Sequence, residues 1–155
     1  MADLARDVSD AVIDDVVLPY TVESLSTRGR LVRLGPAIDA VLKRHGYPEP
    51  VNRVLGEAAA LAILLGSTLK AEGRFQLQTK SDGPINMLVV DFDAPSNFRA
   101  LARFDAEAVR LRAAEGGDLL GSGHLAFTIE TAGVSSRYQG VIALTGQGLQ
   151  AAAHD

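Results

Sequence analysis

The chain has 155 residues, of which 47% are apolar, 22% charged and 5% aromatic, and its net charge is −4. This composition suits one compact domain with a full core and argues against general binding to nucleic acid or anionic membrane. There is no cysteine, which excludes disulfides, thiolate metal sites and cysteine nucleophiles from these residues.

The opening stretch, MADLARDVSDAVIDD, lacks both a basic start and a continuous apolar run. It is not read as a secretory signal, and residues 1–15 are expected to form a flexible leader to a core domain over 16–155. Residues 16–34 are rich in β-branched and alternating residues and predict two strands around Ser24–Thr27. Pro36 then suits a first helical position, Ile38, Val41 and Leu42 form an apolar stripe, and Gly46 is a natural stop. From Val51 to about Lys70 a second helix is apolar on nearly all sides, as expected of a helix buried in the centre of a domain. Its longest apolar run, Ala58 to Leu69, is too short to span a bilayer, so a cytoplasmic location is expected.

At Gly73 the period changes to two. Phe75, Leu77 and Thr79 alternate with Arg74, Gln76 and Gln78, Asp82-Gly83 supplies a turn pair that tolerates positive φ, and residues 74–92 predict a hairpin. On its return strand Asp91 falls on one face with Ile85, Met87 and Val89, and the strand is expected to turn from dry to wet there. A strand over 98–104 follows, then a short helix capped by Asp105 and stopped by Gly116-Gly117. Strands over 124–130 and 137–144 and the final GQGLQAAAHD, which reads as a helix barely begun, complete the order. Strands arriving in hairpin groups predict an α+β fold, mainly antiparallel sheets packed with a buried central helix pair.

Candidate chemistry is sparse. Gly146, Gly148 and Ala151 fit the dinucleotide-binding spacing after a predicted strand, but the preceding chain lacks βαβ order. Ser122 lies near His124 without a nucleophile-elbow motif, and His45, His124 and His154 show no metal spacing. Arg28 and Arg30 share one strand face and Arg33 takes the other, a weak phosphate-binding hint with few aromatics nearby for base stacking. Asp91 and Asp93 point to one side, and metal binding there would need further oxygen ligands that the local sequence does not supply. No residue is therefore assigned to catalysis, a cofactor or a metal, and the chain is not expected to be an enzyme. The alternative reading is a small ligand- or nucleotide-binding enzyme domain using the Gly146/Gly148 turn.

Read together, RGRLVRLGPAIDAVLKRHGYPEPVNRVLGEAAALAILLGSTLKAEGRFQLQTKSDGPINMLVVDF, LLGSGHLAFTIE and RYQGVIALTG resemble the bacterial redox-regulated holdase chaperones of the heat-shock protein 33 family. The resemblance runs in order through nearly the whole chain after Asp15, and VRLG, LLGSTLKAEGR, SDGP and YQGVIAL carry it jointly. It implies an ATP-independent chaperone that binds unfolding proteins under oxidative and heat stress. It further implies activation by disulfide formation and zinc release in a C-terminal module, and a dimeric active form. With no cysteine present, the chain is expected to be the N-terminal domain without that linker and module, so no zinc-binding residue carries over. The partners implied are unfolding client proteins and a second copy, with no nucleic acid or membrane. The client-binding surface of the family is distributed and apolar, and the resemblance names no residue for it.

Overall fold

The computed structural model describes residues 13–69 and 72–154. Strands β1 (Val16–Val22) and β2 (Thr27–Arg33) pair antiparallel through a single 3-10 turn at Glu23–Leu25, as the alternation predicts. Helix α1 (Pro36–His45) begins on its proline and ends at Gly46, whose φ of 64° is a left-handed conformation that glycine adopts freely. Its N-cap, Gly35, has no side chain, and the cap comes instead from Asp15. That carboxylate accepts hydrogen bonds from the Gly35 N–H at 2.9 Å and the Ala37 N–H at 3.1 Å. Of the leader expected over residues 1–15, residues 1–12 lie outside the described residues, while Asp14 binds Arg33 and Asp15 caps α1.

Helix α2 (Glu49–Gly66) packs across the larger sheet through Val51, Leu55, Ala58, Ala59, Ala62, Ile63 and Gly66, a helical spacing of one face. The expectation of burial on nearly all sides is corrected here. Arg53 and Glu57 face solvent and Leu65 is 39% exposed, because the sheet, β2, α1 and α3 pack against the helix without enclosing it among the described residues. The helix pair is unequal, since α1 has no fully buried residue and lies half-buried against the core through Ile38, Val41 and Leu42. Small residues let α2 approach closely. A Cβ on Gly66 would stand 2.5 Å from the Phe92 ring and 3.0 Å from Phe75 Cβ.

The larger sheet has five strands: β3 (Gly73–Ser81), β4 (Ile85–Asp93), β5 (Asn97–Phe104), β6 (Ser122–Thr131) and β7 (Arg137–Thr145). Their order is β5-β4-β3-β6-β7 and every neighbouring pair is antiparallel. Helix α3 (Ala106–Ala114) follows β5 and is capped by Asp105, whose carboxylate accepts from the Ala108 N–H at 2.9 Å, as predicted. Helix α4 (Gly148–Ala152) follows β7 and buries Leu149 and Ala152. The architecture is thus α+β with antiparallel sheets.

Two details differ from expectation. Gly83 does not adopt positive φ; it is needed because a Cβ there would lie 2.4 Å from the carbonyl of Leu120. The Asp82-Gly83 turn is a docking point for residues 119–122, with the Gly83 N–H donating to Leu120 O and the Ser122 N–H to the Asp82 carboxylate. In β4 the register shifts between Ile85 and Met87. Ile85 therefore joins Leu88, Val90 and Phe92 in the core rather than sharing a face with Met87, Val89 and Asp91. Fully buried Thr79 serves this strand, its hydroxyl accepting from the Leu88 N–H at 2.9 Å.

Replacing Thr79 with Val keeps the shape but leaves the buried Leu88 N–H without its acceptor. The unfolding free energy should fall by about 1–3 kcal/mol, read as a lower urea midpoint at unchanged slope. Asp15→Ala should cost about 1 kcal/mol through the lost cap of α1, and an unchanged thermal melt would show that α1 holds without it.

Candidate functional site

The face of the five-stranded sheet turned away from α2 carries two polar rows that the strand register lines up. One row runs Arg99, Asp91, Gln76, Thr128 and Gln139, one residue from each strand. The next runs Asn97, Asp93, Arg74, Glu130 and Arg137. Cross-strand pairing at such spacing brings opposite charges into contact.

The geometry decides what Asp91 and Asp93 do. Asp91 is 8% exposed, and its two oxygens accept from Gln76 Nε2 at 2.7 Å and Arg99 Nε at 2.9 Å. It is therefore not the wet end of the strand, as the alternation implied; it is a buried acceptor satisfied from both neighbouring strands. Asp93 accepts from Arg74 Nε at 2.8 Å. That hydrogen bond, with the charges of Asp93, Asp91 and Glu130 adding to it, raises the Arg74 guanidinium above its ordinary pKa. Arg137 closes the row on Glu130. Both aspartates are engaged in ion pairs that tie strands together, the chemistry of a scaffold.

The remaining sequence candidates are dispersed. Gly146 and Gly148 have φ of 78° and 82°, and they turn the chain from β7 into the five-residue α4. Since β7 pairs antiparallel with β6, the strand–turn–helix lacks the parallel unit of a dinucleotide site, and the glycines serve the turn. Ser122 and His124 lie exposed on one face of β6. His45 donates from Nε2 to Ala100 O at 2.7 Å and stacks on Tyr47, fastening α1 to the edge of β5. His154 follows α4, remote in sequence from both. Arg30 reaches Ser67 O at 3.0 Å and Arg33 pairs with Asp14 at 3.1 Å, so two of the three arginines of β2 hold structure in place. Among the described residues, no three His, Cys, Asp or Glu side chains gather as metal ligands would.

Two concavities are notable. One of about 400 Å³ lies between the β1–β2 arm and the 94–95 turn and includes Val17, Arg30, Glu72 and Phe92. Another of about 360 Å³ lies at the β5 edge and includes Arg44, His45, Asp91 and Arg99. In the first, the Ser67 hydroxyl donates to the Leu64 carbonyl at 2.8 Å, a helix-end contact.

Exposed apolar surface is the more prominent feature. On the β1–β2 arm, Val17 and Val32 pack against the core, while Leu18, Tyr20 and Leu31 share the opposite, exposed face and Leu25 at the tip is 71% exposed. Tyr20 lies over Gly29, where a Cβ would stand 2.2 Å from its ring. Sequence reading missed this face. The Leu18–Leu31 and Tyr20–Gly29 pairings that create it were available only once the hairpin register was known.

The Hsp33 protein family model matches residues 15–155. The 33 kDa chaperonin of Caulobacter vibrioides NA1000 is 47% identical over 155 residues, covering 96% of this chain and 50% of that protein. The 33 kDa chaperonin of Pseudomonas fluorescens Pf0-1 is 39% identical over 142 residues, covering 92% of this chain and 47% of its own. The fold matches the crystal structure of the 33 kDa chaperonin from Thermotoga maritima with a TM-score of 0.70 at 18% identity, over 88% of this chain and 48% of that one. The chain spans about half the length of the relatives it matches. With a family model and relatives covering nearly all of it, the chain belongs to the Hsp33 family.

Proposed function

We propose that these residues form the client-facing core of an ATP-independent holdase, a chaperone that binds unfolding proteins and keeps them from aggregating. Family membership supports the class, and the exposed apolar face of the β1–β2 arm is the observation that carries the reading. Side chains such as Leu18, Leu25 and Leu31 are exposed on these residues, and a client's own exposed apolar surface would cover them. Each large apolar side chain so buried contributes roughly 1.5–3 kcal/mol, and no nucleotide is needed to drive the association. The dispersed polar residues argue against enzymatic turnover.

Redox control by zinc–thiolate chemistry belongs, in this reading, to a part of the longer protein outside these 155 residues. The chain has no cysteine, and its described residues bring no metal-ligand set together, so they do not fit a zinc centre. The same exposed face would favour self-association into a dimer. We place the protein in the cytoplasm; among the described residues no helix is long and apolar enough to cross a membrane.

The test is light scattering of a thermally unfolding model client. The chain should suppress aggregation without ATP, equally in peroxide and in reductant. A response that switches on with peroxide and reverses with reductant would sink the assignment of the sensor to other residues. The triple variant Leu18→Ser, Leu25→Ser, Leu31→Ser should melt near the wild type and bind client at least about tenfold more weakly. Full activity in that variant would remove the arm from the client surface.

A further inference from the structure

The two edges of the five-stranded sheet are treated differently. At the β5 edge, His45 bonds Ala100 O at 2.7 Å, α1 lies alongside, and the strand carries Arg99 and Arg103. These are the devices by which proteins keep an edge from pairing with foreign strands. At the other edge β7 is nine residues long, regular in its register with β6, and free of proline. Its single charge, Arg137, stands at one end of the strand. Among the described residues, no backbone hydrogen bond reaches β7 from any strand but β6. Tyr138 is 62% exposed and Val141 64%, and their register places them on opposite faces of the sheet.

We propose that the open edge of β7 captures extended segments of unfolding proteins by strand addition, so that the client continues the sheet beyond β7. The proposal rests on the chaperone reading above and locates a second contact for it. Main-chain hydrogen bonding explains the choice of partner. A row of unpaired N–H and C=O groups recognises any extended chain whatever its sequence, which suits a protein that must hold many clients. From Tyr138 to Thr145 the strand is uncharged, so it favours the neutral, apolar segments that unfolding exposes. Tyr138 and Val141 then flank the added strand from either face and cover its alternating side chains. The apolar arm supplies adhesion, and the β7 edge supplies main-chain pairing.

Hydrogen exchange with and without reduced, carboxymethylated α-lactalbumin, which remains unfolded in solution, reads this edge directly. The client should slow exchange of amides within residues 138–145 by about tenfold. The double variant Tyr138→Lys, Val141→Lys alters exposed side chains, so it should melt as the wild type does while binding this client about tenfold more weakly. Wild-type binding by the folded double variant, or protection confined to the β1–β2 arm, overturns the edge and leaves the chaperone reading intact. No binding of client by the wild-type chain overturns both. Slowed exchange in β7 that follows chain concentration without client assigns the edge to a second copy and overturns the proposal.

Discussion

The close approach of α2 to the sheet is the contact on which the rest depends. Ala58, Ala59, Ala62 and Gly66 bring the helix down onto Phe75 and Phe92, and Val51, Leu55 and Ile63 of the same helix add large side chains to those of the strands. With the helix so near, the apolar area it removes from water is concentrated on one face of β3, β4 and β5. The hydrophobic driving force scales with that area, so a single helix suffices to hold this part of the sheet. It also fixes what remains uncovered. α2 runs over β3, β4 and β5, so among the described residues the outer face of the β1–β2 arm and the edge of β7 receive no cover from it.

That one-sided packing explains the division of labour on the opposite face. On that face two of the rows crossing the sheet are polar and are knit by cross-strand pairs, beside the mostly apolar row of Leu101, Val89, Gln78, Ala126 and Val141. The exposed pairs, such as Arg74 with Asp93, contribute little each because water screens them. Asp91 is different, since its carboxylate is buried and its cost of desolvation is offset only by hydrogen bonds from Gln76 and Arg99. Losing either donor would leave an acceptor partly unsatisfied, which makes this triplet a device for fixing the register of three strands. The same residues would look like a catalytic cluster if their partners were ignored.

Much of the fold was legible in the chain. Alternation around Phe75, Leu77 and Thr79, the glycine stop at Gly46 and the cap at Asp105 are local signals, and local physics alone satisfies them. What failed depended on distant partners. The shift between Ile85 and Met87 took Ile85 off the face of Met87, Val89 and Asp91, and no pattern of period two contains a bulge. Gly83 looked like a turn residue because of its neighbours, but its constraint is the backbone of Leu120, thirty-odd residues away along the chain. The cap of α1 comes from Asp15, which sequence reading left in the leader. The family was legible from spaced motifs, whereas the apolar arm and the open strand were not. Exposure is a property of what fails to pack against a residue, and composition does not record it.

Leaving apolar groups in water normally invites aggregation, and natural proteins remove such surface where they can. Here two of the places where it survives differ in geometry. The arm presents side chains and an unprotected tip, while β7 presents backbone and only two exposed apolar side chains of any size. A protein selected only for solubility would have charged Tyr138 or Val141, as β5 carries Arg99 and Arg103. Those changes would cost almost nothing in stability, because the residues concerned are exposed. Their absence at one edge and presence at the other is the physical reason to assign β7 a binding role rather than a merely tolerated exposure.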